Sequence, residues 1–228
     1  MESLLTTADD ILRRAAWTTR AARVGPAVWR LGACLAAFAL WYGAVMGAFR
    51  GLTGQEQWLR QMIYSAVKVP LLLCGAFVVG LPSFFVLSSI AGLRRDFGES
   101  VRALVAAQAG LAIMLAALSP LTIVWYASST RYDQALAFNG VMFAAASLGA
   151  QYLLRQYYRP LISRNPRHRK LLVAWAGIYV LVAVQLAWLL RPFVGSPQQE
   201  VQFLRPEAWD NAYVKVAGIA WRALLGSP

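Results

Sequence analysis

Two cysteines, one histidine and ten acidic residues in a chain of 228 leave little from which to build a reactive site. Cys34 and Cys74 each sit inside an apolar run rather than in a loop, which predicts free thiols and no disulfide. With His168 the sole histidine and no Cys/His cluster, a structural zinc site has no ligand set. No Asp or Glu falls inside a long apolar run. Proton-coupled transporters normally need titratable groups at depth, so that class is disfavoured. Nucleophile elbows, P-loops, dinucleotide fingerprints, His-Glu-x-x-His and paired acidic metal motifs are also missing. The chain is therefore expected to hold no catalytic site, metal or cofactor.

Charge is scarce too. Only 14% of residues are charged, against 59% hydrophobic and a mean hydropathy of +0.50; a soluble domain carries about 25% charged residues. The apolar residues gather into blocks at 28–49, 66–92, 103–126, 135–154 and 171–193. Each is near the ~20 residues a helix needs to cross a bilayer. The predicted fold is all-α: a polytopic bundle of about five transmembrane helices over residues 28–193, with amphipathic interfacial helices at both ends. Pro70 and Pro82 predict a kinked or obliquely entering second helix, and Pro120 a bend in the third.

Before the bundle, residues 3–23 place Leu4, Leu5, Ala8, Ile11, Leu12 and Ala15 at helical spacing, with Asp9 and Asp10 early and Arg13, Arg14, Arg20 and Arg23 late. This predicts a surface helix within a cytoplasmic segment 1–27, not a signal peptide. After the bundle, the tail 194–228 opens with Gly195, Ser196 and Pro197. A second interfacial helix is expected at 207–225, where Trp209, Ala212, Tyr213, Val216, Ala220 and Leu224 share a face. Trp and Tyr cluster at block ends, as at Trp41–Tyr42, Trp125–Tyr126 and Tyr157–Tyr158, in the manner of aromatic belts.

The net charge of +12 comes from 22 basic residues that cluster between apolar blocks rather than on a polar surface. Nucleic-acid binding is disfavoured, because basic and aromatic residues do not interleave. One set of alternate segments holds 14 of the basic residues and the other 8, the latter being Arg50, Arg60, Lys68, Arg131, Arg191, Arg205, Lys215 and Arg222. The positive-inside rule then places the N-terminus in the cytoplasm and the C-terminus outside.

Three features stand out as candidate functional or partner-contact residues. Lys68 lies at the mouth of the second block, two residues before Pro70. An ammonium in hydrocarbon must snorkel to the headgroups, pair with a partner's carboxylate, or line a polar cavity beside a proline-broken helix; snorkelling is the default. Gly43, Gly47 and Gly51 form overlapping G-x-x-x-G patterns that let helices approach closely, within this chain or between chains. The run 155–170, holding Arg164, Arg167, Arg169 and Lys170, reads as a basic loop against anionic lipid headgroups, or as a dock for an acidic protein or phosphate-bearing ligand. His168 within it reads as a solvated loop residue. Gln108, Asn139, Gln151 and Gln185 are expected to hydrogen-bond between helices.

The stretch Tyr64-Ser65-Ala66-Val67-Lys68-Val69-Pro70, followed by Gly80-Leu81-Pro82-Ser83-Phe84-Phe85, resembles the second span of bacterial five-helix membrane proteins distantly like the Yip family. The resemblance covers residues 60–190, and the acidic Asp-Leu-Tyr-Gly-Pro motif of the eukaryotic members is missing. It implies a non-enzymatic membrane adaptor in a bacterial inner membrane. The expected function is thus a structural or accessory subunit contacting other membrane proteins or further copies of itself. A small oligomeric channel or transporter with an anion path near Lys68 is the second reading. A lipid-acting enzyme comes last.

Overall fold

A computed structural model describes residues 3–20, 24–196 and 199–204. Among them the chain is helical without strands, and five helices are long and apolar enough to cross a bilayer. The chain is a helical membrane protein. Two short helices, α1 (Leu4–Arg13) and α2 (Ala16–Arg20), precede α3 (Val24–Gly47), and a single turn, α4 (Phe49–Leu52), follows it. Next come α5 (Trp58–Ile90), a 3-10 turn (Arg94–Asp96), α6 (Phe97–Ser128), α7 (Tyr132–Arg164) and α8 (Arg167–Leu190).

The long helices all begin ahead of the apolar blocks, and α6 and α7 also end beyond them. α5 starts eight residues ahead of residue 66 and runs unbroken through Pro70 and Pro82, as α6 does through Pro120. α7 continues to Arg164, so most of the basic run 155–170 is helix and only Asn165 and Pro166 connect α7 to α8.

α6 is the central helix, packed between α3 and α7, while α3 also packs on α5, and α5 on α8. Its middle is built from small residues, and Ala106, Ala109 and Ala112 are fully buried. In lipid there is no hydrophobic gain from bringing two helices together, so close van der Waals packing must hold them, and small side chains permit it. Where α5 meets α8, a methyl group on Gly80 would touch Ile178 at 3.3 Å, and Trp175 packs edge-on against Phe77 and Phe84 at 5.3 and 5.1 Å. α8 buries few of its side chains and turns most of its apolar surface outward.

Connectivity gives the bundle two ends. The near end carries α1, α2, the 3-10 turn and the start of α8; the far end carries α4, the start of α5 and the segment after α8. The expected N-terminal helix is two helices, divided at Arg14, whose left-handed φ of 57° closes α1. Rather than lying wholly on a lipid surface, it is docked. Ile11 is fully buried, Tyr157 Oη donates to the Ile11 carbonyl at 2.8 Å, and Arg102 donates to the Thr19 carbonyl. Leu4, Leu5 and Leu12 remain exposed on its other side. The helix expected at 207–225 lies outside the described residues.

Candidate functional site

The far end is organised around polar side chains that the apolar bundle encloses. Because α5 starts at Trp58, Lys68 stands ten residues inside a helix rather than at its mouth. It is fully buried, which corrects the expectation of snorkelling. Its Nζ donates to the carbonyl of Pro192 at 2.8 Å and lies 5.1 Å from the ring centre of Phe203. One and two helical turns back, Ser65 and Gln61 are also fully buried and both donate to the Phe193 carbonyl, Gln61 Nε2 at 3.0 Å. Arg50 on α4 completes the set, its Nη1 donating to the carbonyls of Ser196 and Gln199 at 2.8 and 2.9 Å.

Residues 191–196 and 199–201 therefore form a strap that returns from α8 across the start of α5 and buries its own Val194 and Val201. Its backbone carbonyls, which no helix or sheet satisfies, are met by donors from α4 and α5; unmet, each would carry the penalty of a buried polar group. A methyl group on Gly195 would lie 2.7 Å from both Arg50 Cδ and Gln61 Cγ, so the strap lies directly on these side chains. Lys68 here joins two parts of one chain. For it to meet an anion, the strap would first have to lift.

Next to the strap, α3, α6 and α7 share a second polar cluster. Asn139 accepts from Tyr42 Oη at 3.2 Å and donates to Tyr126 Oη at 2.5 Å, while Tyr126 donates to the Met46 carbonyl at 3.3 Å. Deeper, Tyr179 of α8 donates to Gln108 of α6 at 3.1 Å, beside a cavity of about 50 Å³. Both amides thus hydrogen-bond between helices.

The glycine pattern divides. Gly43 and Gly47 face α5, where a methyl group on Gly47 would lie 2.7 Å from Met62 Cα and one on Gly43 would collide with the Ser65 carbonyl oxygen. Gly51 is on α4 and faces the Trp58 ring at 3.3 Å. All three pack within the chain, the first of the two readings that the pattern left open. The exposed small residues of α3 lie earlier. Gly25 and Gly32 have no neighbour within 4 Å of an added methyl. With Ala33 and Ala36 they line an apolar groove of about 490 Å³ whose other walls include Phe77, Val78 and Val105.

At the near end the candidates of the basic run separate. Arg164 pairs with Glu99 and lies 3.6 Å from Asp96. His168 is fully buried, not solvated, and its Nε2 meets Asp96 Oδ2 at 3.0 Å. These contacts tie the start of α8 and the end of α7 to the 3-10 turn. Arg167, Arg169 and Lys170 are exposed, and Arg167 Nη1 reaches the Ala91 carbonyl at 3.4 Å. Among the described residues no three His, Cys, Asp or Glu side chains converge, so no metal centre is assigned.

Comparison of the chain with protein-family models, curated proteins and solved structures finds no match.

Proposed function

We propose that the protein is a non-catalytic accessory subunit of a membrane assembly. It sits in a bacterial inner membrane with the N-terminus cytoplasmic and the C-terminus outside, the basic near end facing the cytoplasm. The observation that supports this reading is the contrast between two stretches of one helix. Gly43 and Gly47 are used up against α5, whereas Gly25, Gly32, Ala33 and Ala36 line an apolar groove that none of the described residues fills. Small residues allow two helix backbones to approach within van der Waals reach, which is the main source of helix association in lipid. Trp29, 79% exposed, stands on the groove's edge as a further contact. Meanwhile Lys68, Arg50, Gln61 and Ser65 tie the chain to itself instead of lining an open path.

Extraction of the native protein in mild detergent, followed by native mass determination, tests this. The reading expects a membrane protein at fixed stoichiometry with the chain, lost when Gly32→Trp fills the groove. A lone species with the same mass in both proteins refutes it.

A further inference from the structure

We infer that a groove at the near end, between the end of α5 and the start of α8, is a binding site for one anionic phospholipid. The groove measures about 380 Å³ and lies on the outer surface of the bundle, beside the exposed Ile90. Arg167, Lys170, Leu171 and Ala174 line it from α8. Their spacing of three, four and seven residues from Arg167 sets them on a single helical face. Along that face the chemistry changes once. Two cations come first, at the helix start, and two apolar side chains follow; the rise from Lys170 to Ala174 is about 6 Å.

The facing wall supplies Leu87, Ile90 and Ala91, again at helical spacing. Ile90 is 79% exposed, so the wall is apolar and open on the lipid side. Arg167 is held over the mouth by its reach to the Ala91 carbonyl at 3.4 Å. The positive end of the α8 dipole adds to the same field.

Cationic at the headgroup level and apolar below it, the groove has the order of parts of an anionic phospholipid: phosphate first, acyl chain after. A soluble phosphate would use only the cations, and a zwitterionic phospholipid would bring its own ammonium against them. The paired chemistry selects a molecule with both an anionic headgroup and an acyl chain. It also distinguishes Arg167 and Lys170 from Arg164, whose guanidinium already meets Glu99 and Asp96.

The experiment uses the purified full chain in mild detergent, with native mass spectrometry and thermal-shift titration against phosphatidylglycerol, phosphatidylcholine and inorganic phosphate. One phosphatidylglycerol is expected to be retained per chain, in preference to phosphatidylcholine. Lys170→Glu is expected to weaken it about tenfold, since one basic residue near anionic lipid contributes about fivefold and reversing the charge adds repulsion. Ala174→Trp, which blocks the apolar floor without altering charge, is expected to weaken it as well. Arg159→Gln, exposed at the same end but outside the groove, is expected to leave it unchanged. Equal losses in Lys170→Glu and Arg159→Gln would overturn the site in favour of diffuse attraction. So would displacement by inorganic phosphate, or indifference to Ala174→Trp.

Discussion

Lys68→Met keeps the length and volume of the side chain and removes its ammonium. In the native protein that group donates to the Pro192 carbonyl at 2.8 Å, with both partners enclosed. A hydrogen bond to a charged group contributes about 1.5–3 kcal/mol net, and an enclosed carbonyl left without its donor accounts for much of the loss. Ser65, Gln61 and Arg50 still hold the strap at Phe193, Ser196 and Gln199. The bundle should therefore persist while the strap opens more often. At about 1.4 kcal/mol per decade, the open population rises about ten- to a hundredfold. Val194 of the strap is fully buried and reports on that opening. In a background lacking Cys34 and Cys74, a cysteine at Val194 is expected to react with a water-soluble maleimide faster by that factor when Lys68→Met is added. Lys170→Met, at the other end, should leave the rate unchanged. An unaltered rate in Lys68→Met, with the folded bundle intact, would refute the assignment of Lys68 as a strap anchor.

Gly43→Leu should destabilise the bundle by about 1–3 kcal/mol in a mixed-micelle unfolding titration, because the new side chain meets backbone atoms of α5. Gly32→Leu, with open space around it, should stay within about 0.5 kcal/mol of the native protein. Asn139→Leu removes the group that joins Tyr42 and Tyr126, and the same titration should show a loss of about 1 kcal/mol. Tyr157→Phe deletes the hydroxyl that contacts the Ile11 carbonyl and, at 3.0 Å, Thr18 Oγ1. Tryptic cleavage after Arg14 should quicken about fivefold or more, since a hydrogen bond contributes about 1 kcal/mol.

The number and rough position of the membrane helices were legible because hydrophobic length is a local property of sequence. Helix ends were not. Residues 58–65 lie ahead of the apolar block that begins at 66, yet they are the first two turns of α5, where the strap encloses Gln61 and Ser65. Run 155–170 read as a loop because it is charged, although its arginines, leucines and tyrosines are compatible with helix and α7 simply continues past the apolar block. Lys68 was legible as an anomaly, but its partner is a main-chain carbonyl 124 residues away, and a carbonyl has no sequence signature. His168 was misjudged for the same reason of distance: its acid, Asp96, lies 72 residues earlier. The glycine pattern announced close packing, and only the positions of Ser65 and Met62 decided between α5 and another chain.

The ion pairs that Arg164 makes at the near end and the strap at the far end are secured by different physics. At the near end Arg164 is half exposed beside Glu99 and Asp96. Pairs of that kind contribute little and are screened by salt, so they set an arrangement that water and ions can rearrange. At the far end enclosed side chains bind carbonyls, where screening has no access. The dependence on sequence is accordingly one-sided. The donors Arg50, Gln61, Ser65 and Lys68 must each keep their identity, whereas the strap presents only carbonyl oxygens, which any residue supplies. Steric fit is what restricts the strap, and it does so at Gly195, where an added methyl would meet Arg50 and Gln61 at 2.7 Å. A strap of different sequence that kept this glycine and its backbone path would close on the same donors.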